Sequence, residues 1–287
     1  MRRQQLKIEL RRLLDLADNI TKEKFIEDIK NIGVNAGDVL CIHSSMKKIG
    51  WIDGGIHTLT DALLDVLGDD GAFVVPTHTC SFIDLGSEPY EADKTPTGIG
   101  AFPTAVMAHP LAKRSAQASH SDAAISRNGA KSAYLTDNHD PENALGYESP
   151  LHRISRDPNG KILLIGVTHK ANTSVHLAES VAGIYTHMHY NKAWGNYVHT
   201  KLPDGTIKKY KQSEFPGCSS GFDVIEDLLI AKNLIKFGKI GNAESRLIDA
   251  GGMIAAVSDM VKKQPDVLMC SNPNCPCCPP RREFLRG

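Results

Sequence analysis

The sequence predicts an α/β fold in which a mixed, partly parallel central sheet is flanked by helices. Over the first eighty residues, short apolar runs typical of buried strands alternate with segments whose apolar residues follow helical spacing. A later apolar run, KILLIGV at residues 161–167, is again followed directly by a helical pattern. Alternation of this kind favours parallel pairing, because a crossover helix returns the chain to the same end of the sheet.

The first half of the chain supports this prediction element by element. TKEKFIEDIKNIGV predicts a helix with Thr21 as its N-cap, and DVLCIHSS predicts a buried strand. WIDGG predicts a turn, HTLTDALLDVLG a helix ending at Gly68, and GAFVVPT the next strand. Residues 81–110 are rich in Pro, Gly and Asp and predict one long loop, which in a compact domain is usually functional.

The second half continues the alternation and adds a hairpin. SDAAISRNGAKSAYLTDNH predicts a short strand and a helix, and NTSVHLAESVAG predicts the helix after KILLIGV. YVHTKLPDGTIKKYKQSE predicts a hairpin that turns at residues 203–205, so a small subdomain is expected at 185–220. FDVIEDLLIAKNLIKFG and SRLIDAGGMIAAVSDMVKK predict two closing helices, and a Cys- and Pro-rich tail follows at 270–287. We therefore expect a single domain over residues 1–287.

Composition narrows the classes of function. Lys+Arg and Asp+Glu are both 33, so the formal net charge is zero, which argues against a general nucleic-acid binder. We find no apolar run near the roughly 18 residues of a spanning helix, and the charged N-terminal segment lacks the apolar core of a secretory signal. The seven cysteines, an odd number, suit a reducing compartment. We expect a cytoplasmic protein without nucleic-acid or membrane partners, and a homodimer stays open.

A histidine and a glutamate lie three residues apart in the segment NTSVHLAES. On a helix, His176 and Glu179 share one face. They fit half of a carboxylate-bridged metal site, a general base oriented by a carboxylate, or an ordinary surface pair. The metal interpretation lacks a matching second element. The segment follows a predicted strand directly, and active groups of α/β folds collect beyond the carboxyl ends of strands, which favours a catalytic role.

The segment HSSMKKIGWIDGG, directly after a predicted strand, offers hydroxyl groups, lysines and a glycine pair. Such a segment can present donors to a phosphate or a pantetheine chain, especially where a helix N-terminus follows. The residues concerned are Ser44, Ser45, Lys47, Gly54 and Gly55. The pattern is neither GxGxxG nor a Walker loop, so a plain strand–turn–helix connection is the alternative.

Two further patterns have ordinary explanations beside functional ones. His187 and His189 have the spacing of some metal ligands on a strand, but a loop position is favoured because no strand pattern flanks them. Among Asp223, Glu226 and Asp227, Asp223 shares a helix face with Glu226 or with Asp227, which is typical of a solvated surface and also suits a cationic ligand.

Four of the cysteines crowd into CSNPNCPCCPP near the C-terminus. Thiols at this density suggest zinc, although the spacing is irregular and adjacent cysteines rarely bind one ion. Cys270, Cys275 and Cys278 are the predicted ligands, with a fourth from elsewhere, such as Cys218 or a histidine. The alternative is reduced thiols on a Pro-rich tail.

Taken in order, these segments resemble one family. GDVLCIHSSMKKIGWIDGGIHTLTDALLDVLGDDGAFVVPTHT is similar to the opening of the aminoglycoside 3-N-acetyltransferase, or antibiotic acetyltransferase, family. KILLIGVTHKANTSVHLAES resembles its LLGV and NTSxHxAE segments, and FGKIGNAESRLIDAGGMIAAVSDMV its C-terminal segment. The resemblance spans about residues 20–265 and implies a fold distinct from that of GNAT acetyltransferases, with acetyl-CoA as cosubstrate. One departure is clear: Gln117-Ala118 stand where the family has His-Pro, so His120 is a candidate replacement.

The resemblance implies roles for particular residues. His176 would be the general base and Glu179 its orienting partner, with Thr173 as a candidate oxyanion donor. Arg114 and Ser115 would join the predicted cofactor-binding residues above. The polycationic aminoglycoside would meet the acidic set Asp84, Asp223, Glu226 and Asp227.

Three rival functions remain at this stage. An acetyltransferase for another small amine shares the same machinery, because a family does not fix the acceptor. A zinc-dependent hydrolase would use His176, His187, His189 and the cysteines. A zinc-stabilised binding protein would need no catalytic histidine.

Overall fold

The computed structural model describes residue 5 and residues 19–79, 88–184, 197–213 and 216–286. The helices with described bounds are α1 (Lys22–Ile32), α2 (Met46–Ile49), α3 (His57–Leu67), α4 (Ala101–Met107), α5 (Ala130–Thr136), α6 (Pro150–Arg156), α7 (Ser174–Val181), α8 (Glu226–Ala231), α9 (Ala250–Lys263) and α10 (Cys278–Leu285). The strands are β1 (Val39–Ser44), β2 (Ala72–Pro76), β3 (Lys113–Arg114), β4 (Asp122–Ile125), β5 (Gly160–Ile165), β6 (Tyr197–Lys201), β7 (Ile207–Lys211), β8 (Ile235–Ile240) and β9 (Ala243–Asp249).

Seven strands form the central sheet in the order β3-β4-β2-β1-β5-β9-β8. The three central strands β2, β1 and β5 run parallel, with Leu40 opposite both Phe73 and Lys161. The outer strands pair antiparallel to their neighbours. The predicted mixed, partly parallel sheet is confirmed. Because the central strands are parallel, their carboxyl ends meet at one edge of the sheet, where α/β folds place their sites.

Helices cover both faces of the sheet and enclose two apolar cores. Helices α1, α3 and α4 pack on one face, where Phe25, Leu59 and Phe102 are buried. Helices α5, α6, α7 and α9 pack on the other face, with Leu177 and Met253 in its core. Helix α7, which carries the predicted base, packs mainly against α9 and also contacts α6.

Most of the predicted elements are confirmed in the first half of the chain. Helix α1 begins after Thr21, whose hydroxyl accepts a hydrogen bond from the backbone N–H of Lys24, as expected for an N-cap. The predicted strands correspond to β1 and β2. Helix α3 ends before Gly68, whose φ of 67° suits glycine.

Three predictions of secondary structure are wrong. The expected loop at 81–110 contains helix α4, although residues 81–87 lie outside the described residues. The two closing helices are each a strand and a helix: α8 is followed by β8, and β9 precedes α9. In β9, Ala243, Ser245 and Leu247 are buried alternately with more exposed neighbours, the two-residue period of a strand.

Helices α2, α6 and α10 have no counterpart among the predictions. Helix α6 begins after Ser149, whose hydroxyl accepts from the backbone N–H of His152, and Pro150 occupies its first turn. Helix α10 lies in the predicted tail, where Cys278 and two prolines form its first turn. The tail is therefore a folded element that packs on the domain.

The predicted hairpin is present as the two-stranded sheet β6–β7, which turns through Gly205. Residues 185–196 and 214–215 of the expected subdomain lie outside the described residues. Tyr90 joins the hairpin, because its backbone N–H donates to His199 and its carbonyl accepts from Lys201. No helix in the described ranges is long and apolar enough to cross a membrane.

Candidate active site

The candidate site lies at the carboxyl edge of the three parallel strands. Strand β1 ends at Ser44, β2 leads into His78, and β5 leads through a single 3₁₀ turn into α7. This arrangement brings the ends of three strands and the first turns of α7 together, as the position of NTSVHLAES after a strand predicted.

His176 and Glu179 form a hydrogen-bonded pair on α7. Nδ1 of His176 lies 2.7 Å from Oε2 of Glu179, and both side chains are buried. The spacing of three residues places both side chains on one helix face, so the predicted geometry is confirmed. With the carboxylate ionised, Nδ1 must carry the proton, which leaves Nε2 with a lone pair that can accept a proton.

A third residue, Arg281 of α10, contacts the carboxylate of this pair. Its Nη2 donates to Oε1 of Glu179 at 2.5 Å, and both side chains are only 2% exposed. Burial alone would raise the pKa of Glu179, but the hydrogen bonds and charges of His176 and Arg281 outweigh it and lower the pKa to about 2. The carboxylate is therefore ionised at neutral pH and fixed by a donor on each oxygen.

Aromatic and imidazole rings surround the His176 side chain. The Phe222 ring meets it edge-on, with centroids 4.6 Å apart. Burial, together with nearby His43 and His176, lowers the pKa of His78 to about 3, and burial lowers that of His43 to about 4. Both imidazoles are therefore neutral at neutral pH. They do not repel the positive charge that His176 gains when it accepts a proton.

Among the buried polar atoms without a hydrogen-bond partner in the described part of the chain, two belong to residues at or just after the ends of β1 and β2. They are Oγ of Ser44 and Nε2 of His78. Buried polar groups normally have partners in the protein, in water or in a ligand. These two atoms therefore mark the strand ends as a place where a ligand can bind.

The other predicted cofactor-binding residues line the turn after β1. The backbone N–H of Ser45 donates to Ile165, which joins the ends of β1 and β5. Lys47 is exposed, and Gly54 and Gly55 are exposed with φ values of 74° and 79°. This positive φ explains the glycine pair by backbone conformation, independently of any ligand.

Arg114 and Ser115 are occupied by contacts within the protein. The Arg114 guanidinium donates to the hydroxyls of Thr77 and Ser121 and to the carbonyls of Ala92, Thr95 and Thr77. The hydroxyl of Ser115 accepts from the backbone N–H of Asp122 and also contacts His139. Arg114 thus joins the segment after β2 to the loop before α4, a role that the sequence did not suggest.

The predicted substrate-binding carboxylates differ in their surroundings. Asp223 lies 3.4 Å from Nζ of Lys170, and Glu226 binds the Arg246 guanidinium with both oxygens. Asp227 is exposed and forms no ion pair with a described residue. Asp84, His187 and His189 lie outside the described residues.

Thr173, the candidate oxyanion donor, and Gln117, which replaces the family's histidine, differ in their hydrogen bonds. Thr173 precedes α7, and its side chain makes no capping hydrogen bond, so its hydroxyl is available to a ligand. Gln117 is buried, and it donates to Gln212 and accepts from the backbone N–H of His120. The His120 ring lies 4.5 Å from the ring of His78 between centroids, so His120 adjoins the site.

The structure gathers the predicted cysteine ligands and supplies a fourth. The sulfur atoms of Cys218, Cys270, Cys275 and Cys278 all lie within 4.8 Å of one another. Over the described residues, this is the only group of three or more potential metal ligands, and His176 does not belong to it. The arrangement of a zinc hydrolase around His176 therefore receives no support from these residues.

Three site residues escaped the sequence analysis. His78 follows β2 just as α7 follows β5, so the same rule of strand ends pointed to it. Phe222 lies in the FDVIED segment, where only the acidic residues carry a sequence signal for ligand binding. Arg281 had no signal, because it lies 102 positions along the chain from its partner Glu179.

The chain is similar to known proteins in sequence and fold. Residues 41–262 match the sequence profile of the aminoglycoside 3-N-acetyltransferase family. Aminoglycoside N(3)-acetyltransferase IV of Salmonella sp is 29% identical over 251 residues, which cover 86% of this chain and 90% of that protein. A crystal structure of a mutant of aminoglycoside acetyltransferase AAC(3)-IVa in complex with a gentamicin has a TM-score of 0.75 at 27% identity and covers 92% of this chain and 97% of its own. The binary structure of AAC-IIIb with CoASH has a TM-score of 0.73, covers 86% of this chain and 97% of its own, and at 22% identity shows the shared fold alone. These folds are not GNAT-like, as the family resemblance implied.

Proposed function

Because the chain belongs to the aminoglycoside 3-N-acetyltransferase family, we propose that it transfers the acetyl group of acetyl-CoA to the 3-amino group of a 2-deoxystreptamine aminoglycoside. Such a modification would confer resistance to the antibiotic. The observation that carries this proposal is the buried series His176–Glu179–Arg281 at the carboxyl edge of the parallel strands, in a chain of this family.

His176 acts as the general base. Its Nδ1–H donates to Glu179, so Nε2 faces the substrate as the free base and takes a proton from the attacking amine. The amine nitrogen forms a bond to the thioester carbonyl carbon. The tetrahedral intermediate then collapses, the carbon–sulfur bond breaks, and the thiolate of CoA takes up a proton. Atoms and charge balance without a covalent acyl-enzyme.

Glu179 stabilises the imidazolium that forms when His176 accepts the proton. Its low pKa keeps the carboxylate ionised, so its charge is present throughout the reaction. Arg281 fixes the second carboxylate oxygen and so holds the orientation of the first. The hydroxyl of Thr173 is the proposed donor to the oxyanion, because it makes no capping bond.

The two substrates approach from the edge of the sheet. We assign the CoA side to Ser44, Ser45, Lys47, Gly54 and Gly55, in support of which the Ser44 hydroxyl has no protein partner among the described residues. Arg114 and Ser115 contribute there by shaping the strand ends, since their polar groups already form hydrogen bonds within the protein.

The polycationic acceptor would meet the acidic residues near Phe222. Asp227 is exposed and free of ion pairs with described residues, so it is the strongest of the four proposed contacts. Binding to an acidic surface also accounts for how a protein with no net charge could attract a polycation. The gentamicin complex of AAC(3)-IVa supports an acceptor of this class.

The test is acceptor-dependent release of CoA thiol by the purified protein, with a panel of 2-deoxystreptamine aminoglycosides. Two-dimensional NMR of the product then locates the acetyl group. We expect release with at least one member and acetylation at the 3-amino group. Release only with an unrelated amine would show that the acceptor is not an aminoglycoside, and the proposed acetyl transfer from acetyl-CoA would stand. No release with any amine would overturn the proposal.

A further inference from the structure

We propose that Cys218, Cys270, Cys275 and Cys278 bind one structural zinc ion, and that this site holds helix α10 where Arg281 can support Glu179. The existence of the site is independent of the proposed function. Its effect on catalysis rests on that function, and the experiments below separate the two.

The four sulfur atoms lie close enough together to bind one zinc ion. Tetrahedral coordination with Zn–S distances of about 2.3 Å places sulfur atoms about 3.8 Å apart, and all four lie within 4.8 Å of one another. None of the four is in a disulfide, and Cys278 is fully buried. Four thiols converging on one point, without cross-links, are a ligand set that favours zinc among the common ions.

Backbone N–H groups donate hydrogen bonds to sulfur atoms of the cluster. The N–H of Ser220 donates to Sγ of Cys218 at 3.4 Å. Backbone N–H groups of Asn272, Cys277 and Cys278 are directed at the sulfur atoms of Cys270 and Cys275. Such donors surround metal-bound thiolates and stabilise their charge.

The tail has too little apolar contact to hold α10 without a cross-link. Apart from Met269 and the partly buried Leu285, the apolar cluster at α10 consists of cysteines, and it is separate from both main cores. Segments with so small a core usually depend on a disulfide or a metal. A zinc ion would join three segments, at residue 218, at residues 270–275 and at the start of α10.

The cluster is linked directly to the catalytic pair. Cys278 and Arg281 lie one helical turn apart on α10, so fixing the cysteine fixes the arginine. Gly217, beside Cys218, makes room for the guanidinium, because a Cβ atom there would lie 3.2 Å from Nη1. Phe222 extends from the same segment to the His176 ring. Two of the three segments that supply the ligands, the one around residue 218 and α10, therefore also contact His176 or its partner Glu179.

The first experiment measures metal and needs no substrate. We expect about one zinc ion per chain by mass spectrometry of the protein purified without added metal, and loss of zinc in Cys278→Ser and Cys218→Ser. Cys277→Ser is the matched control and keeps the ion, because its sulfur is outside the group of four. A wild type that holds no zinc even after titration, or that has paired disulfides, would overturn the site.

The second experiment measures the link to Glu179. We expect chelation of the wild type, or Cys278→Ser, to increase hydrogen exchange in residues 174–181 and to lower kcat at least about 10-fold, the kind of loss that follows misplacement of a catalytic group. Unchanged hydrogen exchange after loss of zinc would refute the link between the zinc site and Glu179, whereas the zinc site itself would stand. If the protein transfers no acetyl group, the proposed function fails, while zinc content and exchange still decide this inference.

A double-mutant cycle shows whether zinc acts through Arg281. Arg281→Met should retain zinc and lower kcat, with the KM for acetyl-CoA changed less than about threefold, and Arg281→Lys should restore part of kcat. Adding Cys278→Ser to Arg281→Met should lower kcat little further, because both changes break one chain of contacts. Fully additive losses would show that zinc acts by another route.

Discussion

Replacing Glu179 by glutamine tests the proposed catalytic pair most selectively. The side chain keeps its size but loses its charge and one acceptor oxygen. Glu179 now accepts from Nδ1 of His176 at 2.7 Å with one oxygen and from Arg281 at 2.5 Å with the other. A glutamine has a single carbonyl oxygen, so it cannot accept both bonds.

Either orientation of the new amide has a measurable cost. If the carbonyl faces Arg281, the NH₂ group faces Nδ1 and favours the tautomer in which Nε2 carries the proton, so the base is lost. We then expect kcat to fall by about 10²–10⁴-fold, the contribution of a positioned base. If the NH₂ group faces Arg281, a buried donor is left unpaired at about 1–3 kcal/mol, which lowers Tm by several degrees at roughly 2–4 °C per kcal/mol.

The assay is CoA thiol release with a saturating aminoglycoside, together with thermal unfolding. Glu148→Gln is the matched control, because Glu148 also binds an arginine, Arg153, but lies 31 positions before Glu179 and outside the site. We expect near-normal kcat for the control. A Glu179→Gln enzyme with kcat within about threefold of wild type and an unchanged Tm would refute the proposed role of the pair.

Three further predictions follow from the same geometry. Asp227→Asn should raise the KM for the aminoglycoside with little change in kcat, whereas Glu226→Gln should lower Tm because it leaves Arg246 without its carboxylate partner; steady-state kinetics and thermal unfolding distinguish them. Arg114→Lys should lower Tm and leave the KM for acetyl-CoA nearly unchanged, since one ammonium group cannot replace donors to five acceptors. An increase in KM without a change in Tm would indicate instead that Arg114 contacts acetyl-CoA directly. Because the pKa of Glu179 is lowered from 4.5 to about 2, its stabilising contribution is present above about pH 4.5 and lost as pH falls toward 2; the loss of Tm over that range should be smaller in Glu179→Gln than in wild type.

The parallel core of the fold was predictable because it depends on local patterns. Strands β1, β2 and β5 are continuous apolar runs buried on both faces, and the helices between them show clear helical spacing. Strand β8 was missed because it lies at the sheet edge, where only Ile240 of its residues is buried and no alternating apolar pattern results. Its neighbour β9 was missed because Gly-Gly and apolar residues just beyond it suggested one long helix.

The site was predictable only where its residues are close in sequence. His176 and Glu179 stand three positions apart after a strand, so helix geometry alone brings them together. Arg281 reaches the same carboxylate from the end of the chain, and Cys218 joins three cysteines that lie more than 50 positions away. Contacts of this kind arise from how the tail packs, for which the sequence has no periodic signal.

Acceptor-dependent thiol release by wild type and His176→Ala, compared at equal concentration, tests the central claim most directly. The claim predicts release by wild type with a 2-deoxystreptamine aminoglycoside and a kcat at least about 10²-fold lower in the variant, with circular dichroism and Tm showing that the variant is folded. A folded His176→Ala enzyme with turnover close to wild type would contradict it, because acetyl transfer would then proceed without the proposed base.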